Sequence, residues 1–151
     1  MNLLREGEAD VNTFLALKIE RDSTRIEVSN YLKDGGDGGA EWPFRCMEDS
    51  RSPGDKWVCP SSRGWIVYHF DKPISIRGYG LVTGNDAPGR DPKDWTFNIM
   101  DAIKVHIEGV TEYGWEPVDI RKDIKFKDRH ELQKFAINGG KRIVNSIKLD
   151  I

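Results

Sequence analysis

Short runs in which apolar and polar residues strictly alternate restrict this chain more than any other feature. In "IKVHIE" (103–108), Ile103, Val105 and Ile107 share one face, and Lys104, His106 and Glu108 share the other. The same period recurs in "SIKLDI" (146–151), "LALKIE" (15–20), "RIEVS" (25–29) and "WTFNI" (95–99), the last grouping Trp95, Phe97 and Ile99. Successive side chains of an extended strand point to opposite faces, so this pattern predicts strands with one buried face. "WIVYHF" (65–70) is apolar on both faces and predicts a central strand, with Ile66, Tyr68 and Phe70 on one side. Helical spacing is nearly absent. Only "EADVNTFLALKI" (8–19) leaves a short N-terminal helix open against the strand over 15–20.

Turn chemistry separates the runs: "KDGGDGGAEWP" (33–43), "EDSRSPGD" (48–55), "PSSRG" (60–64), "DKP" (71–73), the 84–94 stretch and "NGGK" (138–141). Many short strands divided by such loops define an all-β, antiparallel β-sandwich or barrel, and the long loops suit Greek-key connections. The 151 residues fit one domain. We divide them into residues 1–22, an N-terminal extension or first strand, and a β-sandwich domain over 23–151.

Several function classes are disfavoured. A net charge of −2 gives no basic footprint for nucleic acid. No apolar run is long enough to span a membrane, and "MNLLREGEADVN" has no apolar core of a secretory signal. The two cysteines, Cys46 and Cys59, form neither a disulfide framework nor a CxxC motif, which points to free thiols and a cytoplasmic chain. The five tryptophans argue for a globular core, and Trp57, Trp65 and Trp95 sit in strand patterns that predict core packing. His69, His106 and His130 are scattered, without HxH or HExxH spacing, and read as satisfied or solvated side chains rather than zinc ligands. "KDGGDGG" lacks a P-loop ending, and Ser61-Ser62 lacks a nucleophile-elbow context. Nothing in the sequence supports an enzyme.

The densest stretch is "GLVTGNDAPGRDPKDWTF" (80–97). The short side chains of Asn85, Asp86 and Asp91 can bond nearby backbone N–H groups. Pro88 and Pro92 fix φ and remove donors. Arg90 offers five donors for carbonyls or for the carboxylates of Asp86, Asp91 or Asp94, and Trp95 can pack beneath. A catalytic loop would need a nucleophile with its base, or a carboxylate pair in a cleft. The reading is therefore a structural corner.

That corner resembles the "Y-x-L-T-S-A-N-D-A-P-x-R-D-P-x-x-W" segment of discoidin domains, also called coagulation factor V/VIII type C domains, of the galactose-binding-like superfamily. The similarity continues in "SPGDKWVC" (52–59), "GWIVYHFDKPISIRGYGL" (64–81), "GWEPVDIRKDIKFKDRHELQKFAI" (114–137) and the ending "NSIKLDI", running in order from about Val28 to Ile151. Two departures stand out. The family's "GSNDG" is replaced by "NIMDAIKVHIEGVTEYG" (98–114), and no cysteines sit at the two ends to form the family's disulfide. The resemblance implies an antiparallel jelly-roll β-sandwich of about eight main strands. It also implies a calcium ion in "MEDSRSPGDKW" (47–57), with Asp49 and Asp55 as oxygen ligands and Glu48 in reserve. Binding residues are implied on loops at one end of the sandwich, where Trp42, Phe44, Arg45, Arg63 and Trp115 are the aromatic and cationic candidates. The function implied is a non-catalytic binding module. We read it foremost as an intracellular protein-interaction domain, with a galactose-binding-like carbohydrate-binding module as the alternative. Its partner is accordingly a protein or a glycan. A phospholipid surface would need exposed apolar spikes, for which "AEWPFRC" (40–46) is the candidate.

Overall fold

The computed structural model describes residues 26–29, 62–84, 88–102, 114–129 and 131–151, together with the backbone of 2–5 and 15–16. The strands are β1 (Asn2–Arg5), β2 (Leu15–Ala16), β3 (Ile26–Val28), β4 (Trp65–Val82), β5 (Trp95–Asp101), β6 (Glu116–Arg121), β7 (Leu132–Ala136) and β8 (Arg142–Asp150). All their pairings are antiparallel. The strand predicted over 103–108 lies outside the described residues. Of the N-terminal stretch, the two residues Leu15 and Ala16 are extended.

One strand serves both layers of the sandwich. The first half of β4 lies between β3 and β8, and β5 and β6 follow, giving the order β3-β4-β8-β5-β6. The second half of β4 lies between β1 and β7, with β2 beyond β1. The "DKP" segment predicted as a turn does not end the strand. It is accommodated as an irregularity, and the register with β8 shifts between His69 and Ile74. Pro73, which has no N–H, falls in this unpaired interval.

Alternation was a sound guide to the core. In β5, Trp95, Phe97 and Ile99 are buried, while Thr96 and Asn98 are half-buried. The side chains of Tyr79, Phe97, Ile76, Ile99, Ile147 and Val144 are almost wholly removed from solvent. Each such burial contributes about 1.5–3 kcal/mol relative to exposure. The layers meet where Tyr79 of β4 stacks on Phe97 of β5, with ring centroids 4.1 Å apart and planes 5° from parallel. Phe135 of β7 packs on Tyr79 and edge-on to Trp95. Gly78 permits this approach, since a Cβ there would meet the Phe135 carbonyl oxygen at 2.5 Å. The "NGGK" turn joins β7 to β8 with Gly139 and Gly140 at φ of 84° and 67°, a region that favours glycine.

Candidate functional site

At one end of the larger layer, four neighbouring strands start or finish together. Register aligns Trp65 with Asp150, Asp150 with Thr96, and Thr96 with Ile120. Their neighbours Ile66, Leu149, Phe97 and Asp119 are buried, so the aligned row faces outward. Arg63, Asp94 and Lys122 continue that face, each two residues along the chain from Trp65, Thr96 and Ile120. Together with Asp150, Thr96 and Ile120 they line a shallow groove of about 310 Å³, completed by Trp95, Arg121 and Ile151. Ile120 is 61% exposed, an apolar patch among cations and carboxylates.

The corner shapes one wall of this groove. Pro88–Arg90 forms a 3₁₀ turn, closed by the Asp91 N–H donating to the Pro88 carbonyl at 3.2 Å. Arg129, 38 residues further on, grips Asp91 with two parallel donors, Nη1 to Oδ1 at 3.0 Å and Nη2 to Oδ2. The Asp123 N–H donates to Asp94 Oδ1 at 2.7 Å, and the Ile124 N–H donates to the Lys93 carbonyl at 3.0 Å. Buried Thr83 exchanges hydrogen bonds with Glu131 through its backbone and its hydroxyl. The corner is thus sewn to the 122–131 loop, and Asp94 is fixed in orientation. Arg90 is exposed on the turn, and the guanidinium that holds Asp91 is that of Arg129. Asn85 and Asp86 lie outside the described residues.

A buried polar chain runs behind the groove. Trp95 Nε1 donates to the Tyr79 hydroxyl at 2.8 Å, and that hydroxyl donates to Asp119 Oδ2. The same carboxylate oxygen accepts Arg121 Nε at 2.9 Å. The Arg121 guanidinium lies 4.9 Å over the Phe135 ring and reaches the Ala136 carbonyl. Burial, and then the bond to Asp119, push the Tyr79 hydroxyl far above the usual phenol range, so it remains a donor. The hydrogen bond with Asp119 likewise stabilises the charged form of Arg121.

Of the binding residues proposed from sequence, the two that are described, Arg63 and Trp115, are not brought together. Arg63 lines the groove, whereas half-buried Trp115 precedes β6 at the opposite end of the sheet. The two are separated by the length of β6, which runs from Glu116, opposite Ile99, to Arg121, opposite Trp95. Near Trp115, Arg142 donates to Asp101 Oδ2 at 2.8 Å and to Glu116. Trp42, Phe44, Arg45, Asp49 and Asp55 lie outside the described residues, as do His106 and His130. Among the described residues no cluster of His, Cys, Asp or Glu could hold a metal ion. His69 is satisfied by Ser146 Oγ at 2.8 Å and Glu27 Oε2 at 3.0 Å. Trp65 does not enter the core. It takes the outward parity of β4 and lies half-buried with Lys148 Nζ 5.3 Å from its ring centre.

Lys122, Asp94, Asp150 and Ile120 were not anticipated as binding residues. In "EPVDIR" the spacing of Val118 and Ile120 suggests one apolar face. A register shift between Phe97 and Asn98 instead buries both Val118 and Asp119 and turns Ile120 outward. The one available signal was an acid between two apolar residues of a strand.

No protein-family model matches the chain. The F5/8 type C domain of a Bacteroides fragilis protein superposes with a TM-score of 0.60 at 17% identity, over 85% of this chain and 82% of that one. The CpGH89CBM32-5 module of Clostridium perfringens, solved in complex with GalNAc-β-1,3-galactose, superposes with a TM-score of 0.58 at 11% identity, over 83% and 81%. The fold is therefore the β-sandwich of these domains, as the corner motif implied. In sequence, the peptide-N(4)-(N-acetyl-β-glucosaminyl)asparagine amidase of Arabidopsis thaliana is 28% identical over 152 residues. That match covers 91% of this chain but spans only 19% of the amidase.

Proposed function

We propose that the chain is a non-catalytic carbohydrate-binding module, with the end groove as its sugar site. The observation that carries this reading is the groove lining. A sugar ring offers hydroxyls around its rim and C–H groups on its faces. Arg63, Lys122, Asp94 and Asp150 supply donors and acceptors around the apolar surface of Ile120. Asp94 is held by the Asp123 backbone, which limits the ordering cost of binding. Carbohydrate-binding modules among the structural neighbours support this alternative over the protein-interaction reading, which gains no support from them. The name of the plant relative adds a second line of support, because that enzyme acts where N-acetylglucosamine meets asparagine. On this reading the chain holds a glycan for a longer polypeptide.

Titration calorimetry with GalNAc-β-1,3-galactose and with N-acetylglucosamine tests the proposal. We expect saturable binding of at least one, weakened about tenfold or more by Arg63→Ala or Asp94→Ala, since each removes a charged hydrogen-bonding group. No binding of either sugar, or affinities unchanged in both variants, would reject the groove as a sugar site.

A further inference from the structure

We infer that Asp123 is a positioning residue for the groove, whose left-handed backbone aims its own N–H at the Asp94 carboxylate and so presents Asp94 and Lys122 to a bound sugar as a fixed pair. The inference rests on the carbohydrate reading and deepens it. Asp123 has a φ of 51°, and among the described residues it is the one non-glycine residue with a positive φ. Aspartate adopts that conformation more readily than most side chains, but it is uncommon outside glycine. Such residues persist where their surroundings over-determine them, and they gather at binding sites. Asp123 stands between a groove residue in sequence and a groove residue in space. Lys122 precedes it, and the Asp123 N–H donates to Asp94 Oδ1 at 2.7 Å.

The register shows why the outlier lies there. Trp95 pairs with Arg121, so an uninterrupted antiparallel ladder would next oppose Asp94 to Lys122 and Lys93 to Asp123. Instead the Ile124 N–H donates to the Lys93 carbonyl at 3.0 Å, and one extra residue is taken up on the side of β6. That is a β-bulge, one class of which places a left-handed residue at the insertion. The bulge resolves a conflict of faces. In a regular strand Lys122 and Ile124 would point the same way. Here Lys122 lines the groove, whereas Ile124 packs against the hydrophobic core. The turn at Asp123 lets the chain leave the groove and re-enter the core within two residues. Asp123 is left out of the ladder, and its N–H is the donor that holds Asp94. A carboxylate oriented in advance loses less freedom when it accepts from a sugar hydroxyl than one that the ligand must order.

Asp123→Gly keeps both the φ and the N–H and is the conservative variant. Asp123→Pro fixes φ near about −65° and removes the N–H. Asp123→Val, whose branched side chain resists a positive φ, takes its place should the proline variant not fold. Two readouts separate positioning from a loosened corner. The first, with no sugar present, is the proton shift of the residue 123 amide in the wild type, in Asp123→Gly and in Asp94→Ala. The second is titration with GalNAc-β-1,3-galactose and N-acetylglucosamine, with the Arg129 Nε signal reporting whether Arg129 still grips Asp91. We expect the amide proton to stay at low field in Asp123→Gly and to move to high field in Asp94→Ala. Sugar affinity should fall about five- to tenfold in Asp123→Pro and stay within about twofold of the wild type in Asp123→Gly, with Arg129 Nε unmoved in both. An amide unmoved by Asp94→Ala, an affinity lost equally in Asp123→Gly, an affinity kept in Asp123→Pro, or a loss accompanied by a displaced Arg129 Nε signal overturns the inference. If the wild type binds neither sugar, the carbohydrate reading falls. The amide signal then still decides whether Asp123 holds Asp94.

Discussion

Two arginines sit at opposite ends of the same sheet, each beside carboxylates, and they do different work. Arg142 donates to two acids, Asp101 and Glu116, tying together the ends of β8, β5 and β6. Arg121 shares its one carboxylate with Tyr79, and it borders a groove. The first arginine ties three strand ends together through Nη2, whereas the second is aimed by a buried carboxylate and lies over the Phe135 ring. An arginine near acids is therefore not evidence for or against binding. What distinguishes the two is what the acids are joined to, strand ends at Arg142 and a buried tyrosine and tryptophan at Arg121.

The comparison can be broken at several points. Trp95→Ala removes both an edge-on contact with Phe135 and the start of the buried chain, and should cost about 3–5 kcal/mol in a denaturant melt. Asp119→Ala leaves the Tyr79 hydroxyl and Arg121 Nε without their acceptor, and should cost about 3 kcal/mol. Arg142→Ala leaves two neighbouring carboxylates facing each other. Its groups keep some contact with solvent, so we expect about 1–2 kcal/mol, with sugar affinity unchanged. A loss of affinity in Arg142→Ala would show that the two ends are coupled and that the contrast between them is false.

A pH titration sharpens the same contrast. The folded state holds Tyr79 in its neutral form, so its hydroxyl titrates above the unfolded value of 10.0. The associated stability is complete below that pH and is lost as pH rises above it, at most about 1.4 kcal/mol for each pH unit. Thermal melts between pH 9 and 11 should therefore fall more steeply for the wild type than for Tyr79→Phe, within the range that the phenol titrates. Equal slopes would contradict the buried donor. The smallest effect belongs to Lys122→Ala, on the exposed rim, which should change stability by no more than about 0.5 kcal/mol while weakening sugar binding.

The fold was legible because its core obeys the period of two: Trp95, Phe97 and Ile99 were grouped by alternation alone, and all three are buried. The end-of-sheet groove was legible only at Arg63, which lies in a recognisable turn. Ile120 and Asp119 were hidden because a one-residue slip in pairing exchanges the faces of a strand, and no local pattern announces where the slip falls. Arg129 was hidden for a different reason. Its partner Asp91 is 38 residues away, and a corner rich in its own charges suggested a local clamp by Arg90 instead. Trp65 was misplaced because "WIVYHF" is apolar on both faces, so the pattern could not reveal that one face was outward.

The central claim is that sugar binds at the end of the sheet where Arg63, Asp94 and Lys122 meet. Its most direct test is a ¹⁵N–¹H NMR titration of the wild type with GalNAc-β-1,3-galactose, following both ends of the sheet in one experiment. We predict saturable shifts of the Thr96 and Lys122 amides, the Trp95 indole N–H and Arg121 Nε, with the Trp115 indole and Arg142 Nε unmoved. Shifts confined to Trp115 and Arg142, with the groove signals still, would contradict the account.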